Sequence, residues 1–214
     1  MIRPLVVEGQ RHHSPSLTTT PVSLPVPRII TIVVIATQTT TIAIIAVATG
    51  LVATVLTTVK IKEKSDFCYS LGADTVVQYS VENFHDVLKS KNELQGVDLI
   101  LDMIGGDYFE KNIDLLRHEG RLVHIAFLKG NSVKLDLSQL MMKRINLTGS
   151  TLRPRTVEFK SKVAGELRET VWPLLDRQKI RVYIDSVFPL EKFKDAHIRM
   201  ESGNHLGKII LSLD

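Results

Sequence analysis

The sequence predicts an α/β fold in which a parallel β-sheet carries helices on both of its faces. From residue 60 onward, short strand patterns alternate with helix patterns, and this alternation implies crossover connections between parallel strands. The strand at 97–103 (VDLILDM) is a near-continuous apolar run of the kind that a sheet buries on both faces. A chain of 214 residues is long enough to bury one substantial core.

Local signals predict the elements in order. A helix over 62–71 is expected to end at Gly72, in the left-handed conformation that helix ends favour. An amphipathic helix over 108–116 follows, and Gly120 is expected to close it. The remaining predictions are strands at 53–59, 75–79, 97–103, 122–127 and 209–213 and helices at 83–90 and 157–175, the last interrupted late by Pro173.

The composition changes abruptly near residue 60. Residues 1–59 contain four charged residues, whereas the rest of the chain contains 46. Residues 1–28 hold five of the eight prolines and show no amphipathic period. Such a segment cannot bury enough apolar surface to offset its ordering entropy, so we expect a disordered leader that is unrelated to the main domain.

Residues 29–59 contain no charge at all, and two interpretations of this stretch compete. A membrane helix needs roughly 20 consecutive apolar residues, which the stretch could supply. Its many threonines and β-branched residues favour strands instead, and no aromatic belt flanks it. We therefore expect a buried strand–helix–strand, with a membrane segment as the alternative.

Several functional classes find no support in the composition. A net charge of +4 without interleaved aromatics gives no sign of nucleic-acid binding. The histidines and the one cysteine show no metal-ligand spacing, so no metal site is expected. Cys68 is expected to be a buried thiol in a reducing compartment, the cytoplasm, and Trp172 and Met200 are expected in the core.

Four strings along residues 65–211 carry a family resemblance. They read SDFCYSLGADTVVQYS, GVDLILDMIGGDYFEKNIDLLRHEGRLVHIAF, LTGSTLRPRTVEFK and FPLEKFKDAHIRMESGNHLGKIIL. Their order and spacing resemble the zinc-free NAD(P)H:quinone oxidoreductase branch of the medium-chain dehydrogenase/reductase superfamily. The resemblance implies a Rossmann-like nucleotide-binding domain over 29–214.

The resemblance also implies a glycine-rich turn at 35–42, where glycines let the backbone approach the cofactor pyrophosphate. Here the turn reads IATQTTTI, with Ala36, Thr39 and Thr41 in place of the family's glycines. Each Cβ at a left-handed position would cost about 1 kcal/mol or more, and the side chains would crowd the phosphates. Residues 29–59 are therefore a degenerate fingerprint region.

Cofactor-binding residues follow from the resemblance position by position. Lys64 and Tyr79 would contact the 2′-phosphate of NADPH through a point charge and a directional hydrogen bond, unless they are a solvated lysine and a strand-end tyrosine. Three further sets of residues would contact the ribose or the nicotinamide. They are Asp102, Ile104 and Gly105, then Ala126, Phe127 and Leu128, and finally Ser150, Thr151 and Leu152. The alternative for each set is a purely structural role in a turn, in the core or in a loop.

The implied activity is hydride transfer from NADPH, with NADH possible, to a quinone or activated alkene, without a metal. No catalytic acid is nominated. The family's N-terminal catalytic β domain, which is GroES-like, is expected to be missing from this chain. Two alternatives stay open, namely a non-catalytic remnant with weak or no cofactor binding, and a domain tethered to a membrane through 29–59. The expected partners are a small-molecule substrate and a second copy of the chain.

Overall fold

The computed structural model describes residues 30–35, 53–91 and 95–213. The expected disordered leader and the fingerprint turn after residue 35 lie outside these residues. The strands are β1 (Ile30–Ile35), β2 (Ala53–Val59), β3 (Thr75–Gln78), β4 (Val97–Asp102), β5 (Leu116–His124), β6 (Asn146–Gly149), β7 (Ile184–Pro189) and β8 (Lys208–Ser212). The helices are α1 (Lys62–Ser70), α2 (Phe84–Lys89), α3 (Tyr108–Leu115), α4 (Leu137–Lys143), α5 (Val157–Thr170), α6 (Trp172–Asp176) and α7 (Phe193–Glu201).

Local polar contacts explain where several helices begin and end. The side chain of Asn83 accepts a hydrogen bond from the His85 N–H at 3.2 Å at the start of α2, and that of Thr156 accepts from the Phe159 N–H at 3.2 Å at the start of α5. Such caps satisfy N–H groups that have no partner within the helix. Gly72 has φ +93° just beyond α1, as the sequence predicts.

Six strands form one parallel sheet in the order β3-β2-β1-β4-β5-β6. The chain builds outward from β1 to β3 and then crosses back to place β4 on the other side of β1. The strand order therefore reverses between β1 and β4, the switch point at which open α/β sheets bind ligands beyond the carboxyl ends of the strands. The predicted parallel α/β sheet is confirmed.

Apolar clusters lie on both faces of this sheet. Successive strand residues point to opposite faces, and in β1 Ile32 belongs to one cluster and Val33 to the other. The first cluster includes Cys68 of α1, whose thiol pKa is raised to about 11 by burial, as befits a structural cysteine. The second packs Phe84 of α2 and Phe109 of α3. Helices thus cover both faces, as expected.

The prediction for the region around Gly120 was wrong. Helix α3 ends at Leu115, and β5 begins at once with Leu116 paired to Val97 of β4. The ladder then bulges, because the next pair joins Leu99 to Arg121, and Gly120 lies inside the bulge rather than at a helix end. The strand ends at His124, three residues before the predicted end. Tertiary pairing with β4 overrides the local glycine signal.

The long C-terminal helix also differs from its prediction. It breaks at Val171 between α5 and α6, so that Pro173 stands in the first turn of α6, where its missing N–H needs no partner. The expectation that Trp172 and Met200 are core residues was wrong, since they are 55% and 47% exposed. Both belong to helices that follow the last strand of the six-stranded sheet along the chain.

Residues 184–212, which we call the C-terminal unit, form a separate parallel pair of strands, β7 and β8, connected through a short 3-10 helix (Leu190–Lys192) and α7. The last predicted strand therefore exists, and it pairs with β7 rather than with the main sheet. Just before the unit, the ring of Tyr183 contacts Phe67 of α1 edge-on, with 4.8 Å between centroids.

None of the helices that the structure describes is both long and apolar enough to cross a bilayer. Within the uncharged stretch 29–59, the described residues form β1 and β2, which pair in parallel along their whole length. The predicted strands of this stretch are confirmed, and the helix expected between them lies outside the described residues.

Candidate functional site

Asp102 ends β4 at the carboxyl edge of the sheet and is completely buried. One carboxylate oxygen accepts hydrogen bonds from the backbone N–H groups of Ile104 at 2.6 Å and Gly105 at 3.2 Å. The other accepts from the side-chain amide of Asn112 in α3 at 3.1 Å. A buried carboxylate requires such donors, and here they fix the turn that follows β4.

This turn lies close against the loop that follows β5. The backbone N–H of Lys129 donates to the carbonyl of Ile104 at 2.8 Å. Gly105 has φ +65°, and a Cβ there would lie 2.5 Å from the carbonyl oxygen of Gly130. Both the conformation and the close approach require glycine, so Gly105 does more than form the plain turn that the sequence also allowed.

An apolar cavity of about 420 Å³ opens beside the turn, at the carboxyl ends of β4, β5 and β6. The rings of Phe109 from α3 and Phe127 from the loop form part of its wall. His124, the last residue of β5, is the one ionisable residue that lines it within the described chain. The remaining wall, besides Gly105, is Asn131, Val133, Leu135, Leu147, Thr148 and Gly149. Such a cavity suits a flat, largely apolar ring with one polar end.

The predicted residues Ala126, Phe127 and Leu128 all lie in the loop after β5. Phe127 lines the cavity and is half exposed, and Ala126 is partly buried. Leu128 donates its backbone N–H to the carbonyl of Met103 at 3.1 Å, which adds to the contact between the two loops. The structure thus brings this group to the turn of Asp102, while its cofactor role stays a prediction.

Ser150, Thr151 and Leu152 follow β6 and are all exposed. The Ser150 N–H donates to the carbonyl of His124 at 2.9 Å, which extends the pairing of β5 with β6 by one residue. None of the three lines the apolar cavity, whereas the preceding Gly149 does. Ser150, which directly follows Gly149, therefore stands next to the cavity, and all three residues are open to solvent.

Tyr79 directly follows β3 and lines a second, more open cavity of about 320 Å³. Burial raises the pKa of its hydroxyl, which remains a neutral hydrogen-bond donor. Lys111 and Lys129 line the same cavity, and both ammonium groups lie over the ring of Tyr108, at 5.9 and 4.9 Å from its centroid. Asp107 pairs with Lys129 at 3.4 Å and would compete with any anion bound there.

Lys64 does not join Tyr79 in this cavity. It is 2% exposed and faces the C-terminal unit, where Asp185 and Arg199 act on it electrostatically. Burial lowers the pKa of its ammonium. The alternative of a solvated helix lysine was wrong, because residues far along the chain cover this face of α1. The structure therefore does not bring the two predicted phosphate contacts together.

Sequence reasoning missed His124, Lys111 and Lys129, which the structure brings to the two cavities. Lys111 lies one helical turn after Tyr108, a spacing that places both on one face of α3 and could have been noticed. A polar residue at the end of an apolar strand was a weaker signal for His124. Nothing in the loop sequence marks Lys129, since its position depends on the contact between the two loops.

Comparison with known proteins identifies the family. A family model described as zinc-binding dehydrogenase matches residues 71–211. The chain belongs to this family. The matched segment spans β3 to β8 and both cavity walls. Within the part of the zinc-binding dehydrogenase domain that the structure describes, no three His, Cys, Asp or Glu side chains come together as a group that could hold a metal ion.

Individual relatives point to one branch of the zinc-binding dehydrogenases. Quinone oxidoreductase-like protein 2 from Mus musculus is 30% identical over 184 residues, covering 85% of this chain and 52% of that protein. A 2-haloacrylate reductase from a Burkholderia species is 30% identical over 164 residues, covering 74% and 48%. The quinone oxidoreductase of Thermus thermophilus, also solved with NADPH, superimposes with a TM-score of 0.71 at 25% identity, covering 86% and 58%. The predicted resemblance to the quinone oxidoreductase branch is confirmed.

The chain spans about half the length of the curated relatives it matches. The described residues fit the two ends of a nicotinamide dinucleotide unequally. At one end, the turn of Asp102 and the loop at Phe127, which border the apolar cavity, suit a nicotinamide ring. At the other, Tyr79, Lys111 and Lys129 offer donors to a phosphate, but the carboxylates of Glu82 and Asp107 line the same cavity and would oppose an anion. The turn that would meet the pyrophosphate lies outside the described residues.

Proposed function

We propose that this chain supplies the NADPH-binding site of an oxidoreductase that transfers hydride to a quinone or another activated alkene. The observation that carries the proposal is the apolar cavity with its fixed glycine turn at the carboxyl edge of the sheet. Open α/β sheets bind dinucleotides at this edge, next to the switch point between β1 and β4. A bound NADPH would supply the hydride, and the protein would supply orientation and a dry site.

In this proposal the turn of Asp102 and Gly105 and the loop at Phe127 hold the nicotinamide end, with Ser150 at the rim. The buried hydrogen bonds of Asp102 keep the turn from moving when a ligand enters, which favours a pre-formed site. Ala126, Ile104, Leu128, Thr151 and Leu152 complete the predicted set around this end.

The adenosine phosphate would meet Tyr79, Lys111 and Lys129, with Lys64 remaining in its buried position. Two ammonium groups and a neutral hydroxyl are donors for a phosphate, while the carboxylates of Glu82 and Asp107 line the same cavity and oppose it. NADPH is therefore the cofactor to test first, with NADH as the comparison.

The proposal is tested with the purified full chain, NADPH and 1,4-naphthoquinone, by following the loss of nicotinamide absorbance. Gly105→Ala is expected to lower the rate about 100-fold, because its Cβ would displace the loop at Gly130 and misplace the site. Gly165→Ala in α5 is the matched control, since an added Cβ there meets nothing within 4 Å. A folded wild-type chain that oxidises no NADPH contradicts the proposal.

A non-catalytic nucleotide-binding-like domain is the second candidate. The observation that favours it is the fingerprint turn, in which Ala36, Thr39 and Thr41 replace the glycines that let a backbone approach phosphates. Calorimetry with NADPH separates the two candidates, because this one predicts no saturable heat from a chain whose circular dichroism and urea transition are those of a folded protein.

We further propose a cytoplasmic protein that pairs with a second copy of itself. The support is the sheet order, which ends at β6, so that the backbone of Asn146–Gly149 is unpaired on one side among the described strands. An exposed edge strand is a template for pairing with another chain. Sedimentation equilibrium checks it, and a monomer at micromolar concentration contradicts it.

A further inference from the structure

His124 ends β5 with its ring in the wall of the apolar cavity and with a carboxylate behind it. Its Nδ1 lies 3.4 Å from Oδ2 of Asp102, which is its register partner on β4. Nδ1 is buried and makes no hydrogen bond within the described residues. The side chain is 14% exposed, so the ring is neither a solvated residue nor sealed in the core.

The carboxylate behind the ring is held in place from three directions. Asp102 accepts hydrogen bonds from Ile104, Gly105 and Asn112, and it is completely buried. These donors keep its negative charge oriented in a medium of low dielectric constant. A carboxylate that is fixed beside one nitrogen of an imidazole orients the ring, so that the other nitrogen is directed away from the carboxylate.

Aromatic contacts fix the orientation of the ring itself. Phe109 stacks on His124 with 5.9 Å between centroids, and Phe127 lies on it at 5.2 Å. Among the described residues, Asp102 is the one charged group within ion-pairing distance, and α3, the loop and β6 present Phe109, Phe127 and Thr148 around the shared cavity. The imidazole is therefore the one proton donor among the ionisable side chains that the structure brings to this cavity.

We propose that His124 is a catalytic proton donor, and that the cavity it lines takes the carbonyl-bearing ring of the acceptor beside the nicotinamide, which the turn of Asp102 and the loop at Phe127 would hold. The inference rests on the proposed function. The acceptor gains a hydride at one carbon of its conjugated system, and the displaced electron pair moves to the carbonyl oxygen. That oxygen takes a proton from a ring nitrogen of His124, and water returns a proton to the ring. Two electrons and two protons are thereby added to the acceptor in each turnover.

The first test needs no cofactor. The full chain labelled at histidine is titrated with 1,4-naphthoquinone, and the ring resonances of His124 and of the exposed His118 on the same strand are followed. Naphthoquinone is expected to shift the His124 resonance in a saturable way and to leave His118 unmoved. An unmoved His124 resonance, or equal shifts at both residues, overturns the assignment of the cavity.

The second test compares the full-length variants His124→Gln and His118→Gln in the NADPH oxidation assay across pH 5.5 to 8, a range of about one to two units around the ordinary histidine pKa. His124→Gln is expected to keep its NADPH affinity by fluorescence, to react about 100-fold more slowly and to lose the pH dependence of the rate. His118→Gln is expected to behave as the wild type. A His124→Gln variant with the wild-type rate and pH profile overturns the proton-donor role.

The two tests separate this inference from the proposed function. A chain that binds neither NADPH nor naphthoquinone contradicts both. A chain whose His124 resonance responds to naphthoquinone, but which does not bind NADPH, contradicts the proposed function and supports the cavity as the acceptor site. A wild-type chain that binds both ligands yet transfers no hydride overturns the proton donor together with the reaction.

Discussion

The six-stranded sheet and the C-terminal unit share the β–α–β arrangement but are held together by different forces. In the sheet, Val33, Ile100 and Leu122 are completely buried, and apolar clusters cover both faces. In the C-terminal unit, the buried residues are Ala196, His205 and Gly207, while apolar side chains such as Val187 and Leu211 are largely exposed.

Charge and hydrogen bonds provide much of the order of the C-terminal unit. The guanidinium of Arg199 donates two hydrogen bonds to Asp185, at 2.9 and 2.7 Å, and the backbone N–H of Leu206 donates a third at 2.8 Å. This bidentate pair lowers the pKa of Asp185. The stability of the sheet should therefore respond mainly to lost side-chain volume, whereas that of the C-terminal unit should respond mainly to lost charge and to salt.

The largest effect is expected in the sheet. Leu122→Ala removes a completely buried side chain from β5 and leaves a cavity in a packed core. We expect the free energy of unfolding to fall by about 2–5 kcal/mol, measured by urea denaturation. Leu152→Ala, at a position that is 53% exposed, is the control and should change it by about 0.5 kcal/mol or less. Equal losses in the two variants would contradict a core centred on this sheet.

A smaller and more local effect is expected from Asp185→Asn. The change keeps the shape but removes the charge that Arg199 and Leu206 contact, so the C-terminal unit should open more often. Amide exchange along β8 is expected to accelerate on the order of tenfold, while exchange in β4 stays the same. Equal acceleration in both strands would show that the unit and the sheet unfold as one.

Lys64→Met tests the contact between the sheet and the C-terminal unit. The methionine keeps the apolar stem and removes a buried ammonium for which the described residues offer no hydrogen bond or ion pair. We expect unfolding to become less favourable by about 1 kcal/mol, with NADPH affinity unchanged. The exposed Lys62→Met is the matched control. If Lys64→Met lost NADPH affinity and Lys62→Met did not, the result would support the predicted contact between Lys64 and the 2′-phosphate.

The smallest effect concerns pH. Burial, together with Lys64, Arg199 and Lys208, lowers the pKa of His205, and Asp185 opposes them. The folded form therefore binds a proton less readily than the unfolded chain, and stability falls as pH drops below about 6.5. The pKa of Asp185 is also lowered in the folded form, so its protonation causes a further loss of stability as pH falls below about 3.9.

Amide exchange of β8 between pH 7 and 5 measures this loss of stability as a decrease in the free energy of opening. His205→Gln should remove the decrease between pH 7 and 5 and keep the further decrease at lower pH that Asp185 causes. An unchanged profile in His205→Gln would contradict the role of the histidine. Exchange in β2, a strand without an ionisable residue, is the control and should show no matching change over this range.

The sequence predicted most strands of the sheet because their signals are local, although it indicated no strand at β6 and a later start for β5. Residues 97–103 and 53–59 are dense in apolar and β-branched residues, and the structure has strands there. Gly120 and Lys64 show where local reasoning fails. The pairing of β5 with β4 places Gly120 inside a strand, and the C-terminal unit buries Lys64. Neither contact can be inferred from the residues next to Gly120 or Lys64 in the sequence.

The candidate site was predictable in part for the same reason. Asp102 and Gly105 follow a recognisable strand, so their place at the carboxyl edge could be inferred from the strand alone. His124 and Lys129 reach their cavities only because the loop after β5 lies against the turn after β4. The cavities form from side chains of several strands and loops that come together only in the packed sheet, so no single segment of the sequence predicts them.

The central claim is that the carboxyl edge of the six-stranded sheet binds NADPH despite the altered fingerprint turn. Titration of the purified full chain with NADPH, followed by nicotinamide fluorescence and calorimetry together, tests it most directly. We expect saturable binding in the micromolar range, about 8 kcal/mol, weakened in Lys111→Met and unchanged in Lys64→Met. A folded chain that gives neither fluorescence change nor heat would contradict the claim.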